Sequence, residues 1–284
     1  MAGLAGLAGA AAILSRRKGE TSSVRRDWPV NVAHRGASAR VPENTLDAFE
    51  TALEIGAGGL ELDVHMTRDG RLIVIHDGTV DRTTDGTGAI AGMTLAEIKA
   101  LDAGYWFSVD GGSTHPYRGF GLRIPELVEV YKEFPDTPVN IEIKATQPGI
   151  EEAAMRHIRD AGAEGRTIVA AASHEVMVRF RLASAGQVPT AASAWEVRVF
   201  YILSGLFLEG WLYPVYTALQ APDNYRGAPV VTRRFIQAAH GRGVRVDVWT
   251  INDPSEMHCL LDLGADTIMT DRPDVLAEIL EHRA

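Results

Sequence analysis

Short apolar runs rich in β-branched residues alternate with longer stretches of helical periodicity along most of this chain. The runs that predict strands are NVAH, GLELDV, RLIVIH, PVNIEIK, RTIVAA, VPTAAS, TALQAP, VRVDVWT and DTIMT. Strands that alternate with helices pair in parallel, because each helix returns the chain to the end of the sheet where the previous strand began. The pattern therefore predicts an α/β fold with a parallel sheet.

The number of runs favours a closed barrel over an open sheet. When RLIVIH is assigned to an extra strand in an excursion, eight runs remain, and eight parallel strands close a TIM (β/α)8 barrel. Such a barrel takes about 250 residues. The chain has 284 residues, so it suits one barrel domain, which we place at residues 30–284. Catalytic groups are then expected at the mouth, where the carboxyl ends of the strands meet.

Charge and cysteine content exclude several classes of function. The chain has 28 Lys and Arg residues against 37 Asp and Glu residues, which gives a net charge of -9. This charge repels polyanions, so we expect no nucleic-acid partner. Cys259 is the only cysteine. An intrachain disulfide and a thiolate zinc site are therefore both excluded.

The first 29 residues form an apolar and then basic N-terminal tail. Residues 1–14 are small and apolar, but a spanning helix needs about 20 such residues. Arg16, Arg17 and Lys18 follow the apolar stretch, whereas a secretory signal carries its positive charge first. A loosely ordered tail, a shortened membrane anchor and a cleaved signal all stay open. A cytoplasmic or membrane-associated location is favoured over secretion.

Two of the predicted strands carry polar side chains on one face. Alternation along GLELDV places Glu61 and Asp63 together, and in PVNIEIK it places Asn140, Glu142 and Lys144 together. Burying these charges without partners is costly, so a cation or an ion-pair network should hold them. Three carboxylates favour Ca²⁺ or Mg²⁺ over zinc. The alternative is an ordinary ion pair between Glu142 and Lys144.

Two histidines end predicted strands. His34 closes NVAH and His76 closes RLIVIH, which places both near the mouth of a barrel. A single histidine in such a place is more often structural than catalytic. Two histidines beside a cluster of carboxylates instead favour proton transfer during catalysis.

Six sequence blocks, in order, resemble the glycerophosphodiester phosphodiesterase family. They are HRGASARVPENTLDAF, LELDVHMTRDGRLIVIHDGTVDRTTDGTG, RIPELVEV, NIEIK, VWTIND and GADTIMTDRP. The resemblance spans residues 30–275 and implies a TIM barrel with a small insertion after strand two, at about 77–120. It also implies metal-dependent hydrolysis of a glycerophosphodiester to an alcohol and a glycerol phosphate. The segment DGTVDRTTDGTG predicts a loop independently, because it is rich in Gly, Asp and Thr.

The resemblance implies roles for individual residues. His34 and His76 match the acid and base of the family, and we assign His34 as the acid and His76 as the base, although the sequence does not fix that order. The ligands of a divalent metal ion, Ca²⁺ or Mg²⁺, match Glu61, Asp63 and Glu142. The groups that hold the phosphate match Arg35 and Lys144. In the family the glycerol 2-hydroxyl is the attacking group, which gives a cyclic phosphate that water then opens.

The stretch WEVRVFYILSGLFLEGWLYPVY, residues 195–216, is unusually rich in aromatic residues. Its charges and length argue against a spanning helix. It is either an outer barrel helix buried on one side or a lipid-contacting surface beside the mouth, which would favour lysophospholipid substrates. Membrane contact would then involve this stretch and the N-terminal tail. Trp249 is expected to form a wall for glycerol or an acyl chain, with plain barrel packing as the alternative.

Two other functions stay open at this point. One is a catalytically inactive barrel that serves as a membrane-binding or protein-binding module. It is disfavoured because such a module has no need for two histidines beside three carboxylates. The other is a phospholipase that uses the same histidine pair but stops at a cyclic phosphate, and no feature of the sequence separates it from the hydrolase.

Overall fold

A ring of parallel strands surrounded by helices makes up the computed structural model, which describes residues 28–283. Within that range the strands are β1 (Asn31–His34), β2 (Gly59–Met66), β3 (Leu72–Val74), β4 (Val139–Ile143), β5 (Thr167–Ala170), β6 (Ala218–Pro222), β7 (Asn224–Tyr225), β8 (Ala228–Pro229), β9 (Arg245–Trp249) and β10 (Thr267–Thr270). The sheet order is β5-β4-β2-β1-β10-β9-β6. All neighbours in this order are parallel, as the alternating sequence pattern predicts.

The ring closes between β5 and β6 through a very short eighth segment. Parallel bridges join Val169 to Thr190 and Ala191 to Ala218, and the Ala191 N–H donates to the Val169 carbonyl at 2.9 Å. The predicted strand VPTAAS is therefore only a pair of bridges. Pro189 has no N–H to donate, and Ser193 already caps the next helix, so few residues are left to pair.

The helices lie outside the ring and begin at residues that favour helix starts. They are α1 (Leu46–Glu54), α2 (Leu95–Lys99), α3 (Leu127–Glu133), α4 (Ile150–Asp160), α5 (His174–Ser184), α6 (Ala194–Gly205), α7 (Arg233–Gly241), α8 (Pro254–Leu263) and α9 (Pro273–Glu281). Side chains that accept a hydrogen bond from a first-turn N–H are those of Thr45, Thr94, Ser173, Ser193, Thr232 and Asp253. Such caps satisfy N–H groups that the helix itself leaves without partners.

Strand β2 shows how the alternation of side chains positions the site. Leu60, Leu62 and Val64 are fully buried in the apolar layer between the strands and the outer helices. Glu61 and Asp63 consequently face the interior of the ring, as predicted from the spacing of these residues. Apolar packing outside the ring thereby fixes the direction of the carboxylates inside it.

The segment between β2 and β4 leaves the barrel, as the family resemblance implies. Strand β3 pairs antiparallel with β2, which matches the excursion assigned to RLIVIH. Residues 77–88, the segment DGTVDRTTDGTG, contain no helix and only one isolated bridge, from Thr79 to Ala89. A small apolar cluster of its own, including Ile73, Ile90 and Ile98, stabilises the segment.

Residues 195–216 combine an outer barrel helix with an exposed aromatic segment. Phe200 is fully buried on α6, whereas Trp195 is 60% exposed, Phe207 75% and Trp211 80%. Within residues 28–283, no helix has both the length and the apolar character needed to cross a membrane. The helix thus agrees with the packing interpretation, while much of the aromatic surface is left outside the core.

The exposed aromatic segment leads away from the mouth. The guanidinium of Arg234, in the first turn of α7, lies 4.3 Å from the centroid of the Phe207 ring. Arg242 caps the far end of α7 and lies 5.6 Å from the Tyr213 ring. Because barrel helices run from the mouth toward the amino ends of the strands, the segment runs along that direction. The stretch therefore extends from the mouth end of α7, at Phe207, to its far end, at Tyr213, and a lipid-contacting role stays a prediction.

The predicted N-terminal tail, residues 1–29, lies outside the described residues except for Trp28 and Pro29. Trp28 is buried and packs against Ile168, Ala170 and Ala191, on β5 and the short eighth segment. The barrel therefore begins before the predicted boundary at residue 30. A buried indole contributes strongly to packing, so Trp28 belongs with the barrel rather than with the tail.

Candidate active site

The His-Arg-Gly motif forms a sharp turn at the end of β1. Arg35 and Gly36 have φ angles of 57° and 82°. A Cβ atom on Gly36 would lie 2.6 Å from the carbonyl carbon of Ala48 in α1, so this position requires glycine. The turn brings Nε of Arg35 to 3.1 Å from Oδ2 of Asp63. The motif thus places a guanidinium over the carboxylates of β2.

We expect Gly36→Ala to lower the free energy of unfolding by about 2 kcal/mol or more, because it combines backbone strain with a clash against α1. Displacement of His34 and Arg35 should also lower kcat. Thermal denaturation and steady-state kinetics measure both effects. Gly70→Ala is the matched control, since Gly70 also has a positive φ, of 76°, but no atom lies within 4 Å of its Cβ position. Equal destabilisation by the two variants would contradict the proposed clash.

Three carboxylates meet inside the mouth. Oxygens of Glu61, Asp63 and Glu142 all lie within 4.8 Å of one another, and Asp63 and Glu142 are paired residues on β2 and β4. Nζ of Lys144 is 2.7 Å from Glu142 and 3.2 Å from Asp63. The side-chain amide of Asn44 donates to Asp63 at 3.0 Å. The predicted ion pair between Glu142 and Lys144 therefore exists, but as part of the larger cluster.

The charges in this cluster do not balance. Burial and the neighbouring charge of Asp63 raise the pKa of Glu61. Lys144 and Arg35 lower the pKa of Asp63 although burial opposes them. Oδ1 of Asp63 is buried without a hydrogen bond, even with the Lys144 ammonium nearby. A set of carboxylate oxygens with excess negative charge suits a hard divalent cation, so these residues fit the predicted metal ion.

His34 is held by a carboxylate from the other end of the chain. Its Nδ1 atom lies 2.7 Å from Oδ1 of Asp271, and the same oxygen accepts a hydrogen bond from the Ser38 hydroxyl at 2.8 Å. Oδ2 of Asp271 accepts a hydrogen bond from the Asn252 amide at 2.7 Å. Nε2 of His34 lies 4.0 Å from Glu61. Burial lowers the pKa of His34, but Asp271 and Glu61 outweigh it, so this pKa is raised.

His76 is also paired with a carboxylate, but one that is already bound to a cation. Its Nδ1 atom lies 2.6 Å from Asp77, and Nε of Arg82 lies 2.6 Å from the same carboxylate. Nη2 of Arg82 donates to Oε1 of Glu43 at 2.7 Å, and Nη1 of Arg35 donates to the same oxygen at 3.1 Å. A chain of charged contacts thereby connects His76 to the guanidinium above the carboxylates.

The structure brings most of the predicted site residues into one network. Direct contacts join His34, Arg35, Glu61, Asp63, Glu142 and Lys144, and Asp77, Arg82 and Glu43 connect His76 to them. Trp249 ends β9 at the mouth and is 43% exposed. It is not among the residues that line the cleft beside His34 and Asp271. Its role as a substrate wall stays a prediction.

Sequence reasoning missed the residues that support the two histidines. They are Ser38, Glu43, Asn44, Asp77, Arg82, Asn252 and Asp271. Each of them follows a predicted strand within one of the sequence blocks quoted above: HRGASARVPENTLDAF, LELDVHMTRDGRLIVIHDGTVDRTTDGTG, VWTIND or GADTIMTDRP. Position just after a predicted strand was the available signal, because the loops that follow barrel strands form the mouth, and Asp77 and Arg82 follow the excursion strand β3.

The fold and the mouth together define a class of protein. Barrels of this kind carry their chemistry where the strands end, and here that end holds acidic, basic and imidazole groups in contact. The chain is thus a TIM-barrel enzyme whose site is suited to an anionic substrate.

Comparison with known proteins identifies the family. Residues 34–275 match the Glycerophosphoryl diester phosphodiesterase family. The chain is 36% identical over 257 residues to a glycerophosphodiester phosphodiesterase of Caldanaerobacter subterraneus subsp. tengcongensis. The aligned residues make up 88% of this chain and 96% of that protein. The chain therefore belongs to the glycerophosphoryl diester phosphodiesterase family, and it is an enzyme of that family.

Two further similarities are to a solved structure with the same barrel and to a protein named as a lysophospholipase D. The glycerophosphoryl diester phosphodiesterase domain of Rv2277c from Mycobacterium tuberculosis matches with a TM-score of 0.79 at 21% identity, over 89% of this chain and 100% of that one. Lysophospholipase D GDPD1 of Homo sapiens is 27% identical over 280 residues, covering 89% of this chain and 86% of that protein. The predicted TIM barrel and family are confirmed.

Proposed function

We propose that this enzyme cleaves glycerophosphodiesters by metal-dependent general acid–base catalysis, releasing an alcohol and a glycerol phosphate. The observation that carries the proposal is the convergence of Glu61, Asp63 and Glu142 within 4.8 Å, beside Lys144 and Arg35. When bound, Ca²⁺ or Mg²⁺ supplies positive charge to the phosphoryl oxygens. The guanidinium and the ammonium hold the same phosphate by charge-assisted hydrogen bonds.

The two histidines supply the proton transfers. His76 accepts the proton of the attacking hydroxyl, and His34 donates a proton to the oxygen of the leaving alcohol. An imidazole can either accept or donate a proton, which suits a pair that must exchange roles during two successive steps. Each ring is oriented by the carboxylate at its Nδ1 atom, at 2.7 Å for His34 and 2.6 Å for His76.

A phosphorus NMR time course on glycerophosphocholine and lysophosphatidylcholine, with Ca²⁺ or Mg²⁺ present, tests this function. Glycerol phosphate from the first substrate, or lysophosphatidic acid from the second, supports the hydrolase. A cyclic phosphate that accumulates without being opened indicates a phospholipase that stops at the first step. Absence of turnover on both substrates would favour the alternative that the protein is a catalytically inactive binding module.

Lysophospholipids are the favoured substrate class within this function. One supporting observation is the similarity to lysophospholipase D GDPD1. The other is an exposed apolar surface, which consists of Trp195, Tyr201, Ile202, Leu206, Phe207, Leu208, Trp211 and Tyr213. Because this surface extends from the mouth end of α7, at Phe207, to its far end, at Tyr213, its role is to hold the enzyme on a lipid aggregate rather than to enclose the acyl chain. The arginines stacked on Phe207 and Tyr213 suit an anionic membrane surface.

The double variant Phe207→Ser/Trp211→Ser should lower kcat/KM for aggregated lysophosphatidylcholine by about 10-fold, because it removes apolar area worth about 25 cal/mol per Å² on contact with lipid. Its kcat/KM for glycerophosphocholine should not change. Thermal stability should also persist, since the two side chains are 75% and 80% exposed. Val128→Ser removes an exposed apolar side chain from α3 instead and serves as the matched control. Equal losses on both substrates, or unfolding of the double variant, would contradict a lipid-contacting role.

A further inference from the structure

A polar cleft of about 220 Å³ lies beside His34. The residues that line it include Arg35, Glu43, Asn252, Asp271 and Arg272. They belong to the loops that follow β1, β9 and β10, so the cleft lies at the mouth of the barrel. Its volume is below that of a pocket for a drug-sized ligand, and it therefore suits a small alcohol rather than an acyl chain.

The position of the cleft favours the leaving alcohol as its ligand. Of the two histidines of the site, His34 borders the cleft and His76 does not. Under the proposed function, the leaving alcohol departs beside His34, whereas the attacking hydroxyl lies beside His76. Arg35 lines the cleft and also contacts Asp63, so the cleft adjoins a group that holds the phosphate.

Most charged groups of the cleft already have close ionic partners. Arg35 lies 3.1 Å from Glu43 and 3.1 Å from Asp63. Asp271 lies 2.7 Å from the His34 ring and also accepts hydrogen bonds from neutral groups. The charges of these residues are thus largely compensated within the protein.

Arg272 is the exception among the charged groups of the cleft. Within residues 28–283 its guanidinium donates no hydrogen bond and makes one ion pair, in which Nη2 lies 3.6 Å from Oδ2 of Asp274. The same oxygen of Asp274 accepts a hydrogen bond from Arg40, so two guanidinium groups share one carboxylate. The Arg272 side chain is also 46% exposed. Its positive charge is therefore available to an acidic ligand in the cleft.

We propose that the cleft binds the leaving alcohol and that Arg272 is a specificity-determining residue, which favours alcohols that carry a carboxylate. A guanidinium can hold a carboxylate through two parallel hydrogen bonds. The serine headgroup is an alcohol of this class, whereas choline and ethanolamine carry only a positive charge, which Arg272 repels. This assignment rests on the proposed function. It applies equally to glycerophosphodiesters and lysophospholipids, because the two classes share the same leaving alcohols.

Glycerophosphoserine and glycerophosphoethanolamine test this preference, because their leaving alcohols differ only by a carboxylate. With Ca²⁺ or Mg²⁺ present, kcat/KM is measured for both substrates, and the ratio of the serine value to the ethanolamine value is compared between proteins. Arg272→Gln should lower this ratio by about 10-fold, because the charge-assisted hydrogen bonds to the carboxylate are lost. The change should lie mainly in KM for glycerophosphoserine. In the wild-type enzyme the ratio should also fall as ionic strength rises.

Two further variants change the charge at the same position. Arg272→Lys keeps the positive charge but loses the planar fork, so it should lower the ratio by less, whereas Arg272→Glu should lower it by more. Arg68→Gln is the matched control. Arg68 is 58% exposed and lies 3.5 Å from Glu97, but it does not line the cleft, so its replacement should leave the ratio unchanged. All these variants should keep their thermal stability, because long ion pairs between exposed side chains contribute little to it.

An unchanged ratio in Arg272→Gln, or the same fall in Arg68→Gln, would overturn the role of Arg272. Equal losses on the two substrates, or unfolding of Arg272→Gln, would also overturn it, because either result would indicate a structural role. When the wild-type enzyme hydrolyses both substrates, these outcomes contradict the role of Arg272 alone. Failure of the wild-type enzyme to act on either substrate would instead contradict the proposed function, and the inference with it.

Discussion

Alanine at either His34 or His76 should lower kcat by about 100-fold or more while the protein keeps its fold. Each variant lacks one of the two imidazoles that are positioned to transfer a proton. Neither ring is part of the apolar core, and Asp271 keeps its hydrogen bonds to Ser38 and Asn252 when His34 is removed. Initial rates on glycerophosphocholine, together with thermal denaturation, measure the two properties separately.

The matched control for these variants is His258→Ala. His258 lies on α8, is exposed, and contacts Arg283 rather than any residue of the site. Its replacement should leave kcat unchanged. Near-normal turnover by His34→Ala or His76→Ala would remove that histidine from the mechanism, and unfolding of either variant would show a structural role instead.

The parts of the site that the sequence predicted are those that depend on a short, regular spacing. Alternation along β2 correctly placed Leu60, Leu62 and Val64 outside the ring and Glu61 and Asp63 inside it. The same arithmetic on β4 placed Glu142 with them. Side-chain direction in a strand is a local property, so a run of five or six residues is enough to determine it.

The parts that the sequence could not predict depend on contacts between distant loops. Asp271 is 237 positions from His34 along the chain, and Arg82 is 39 positions from Glu43. Periodicity shows that such residues lie near the mouth, but it does not select which carboxylate meets which ring. The same limit applies to the short eighth segment, where Pro189 and the helix cap at Ser193 reduced a predicted strand to two bridges.

Exhaustive chelation should abolish turnover, and readdition of Ca²⁺ or Mg²⁺ should restore it. The reason is the excess of carboxylate charge: Lys144 and Arg35 are two cations against the three carboxylates of Glu61, Asp63 and Glu142. A measurement independent of activity is the melting temperature of the chelated protein. It should rise by about 5 °C at saturating metal, because an ion present at about 100 times its Kd stabilises the folded state by about 2.7 kcal/mol.

Glu142→Gln separates a metal site from a purely structural ion pair. If Glu142 binds the cation, this variant should need about 10-fold or more additional metal for half-maximal activity, and its melting temperature should respond less to added metal. If Glu142 only pairs with Lys144, at 2.7 Å, the variant should lose stability without any change in metal dependence. Asp262→Asn is the matched control, because it removes a carboxylate paired with Arg283 outside the cluster. Turnover that survives chelation would contradict the metal site. So would an equal rise in melting temperature with added metal in the wild-type protein, Glu142→Gln and Asp262→Asn. Either result would mean that the three carboxylates form a structural network held by Lys144 and Arg35.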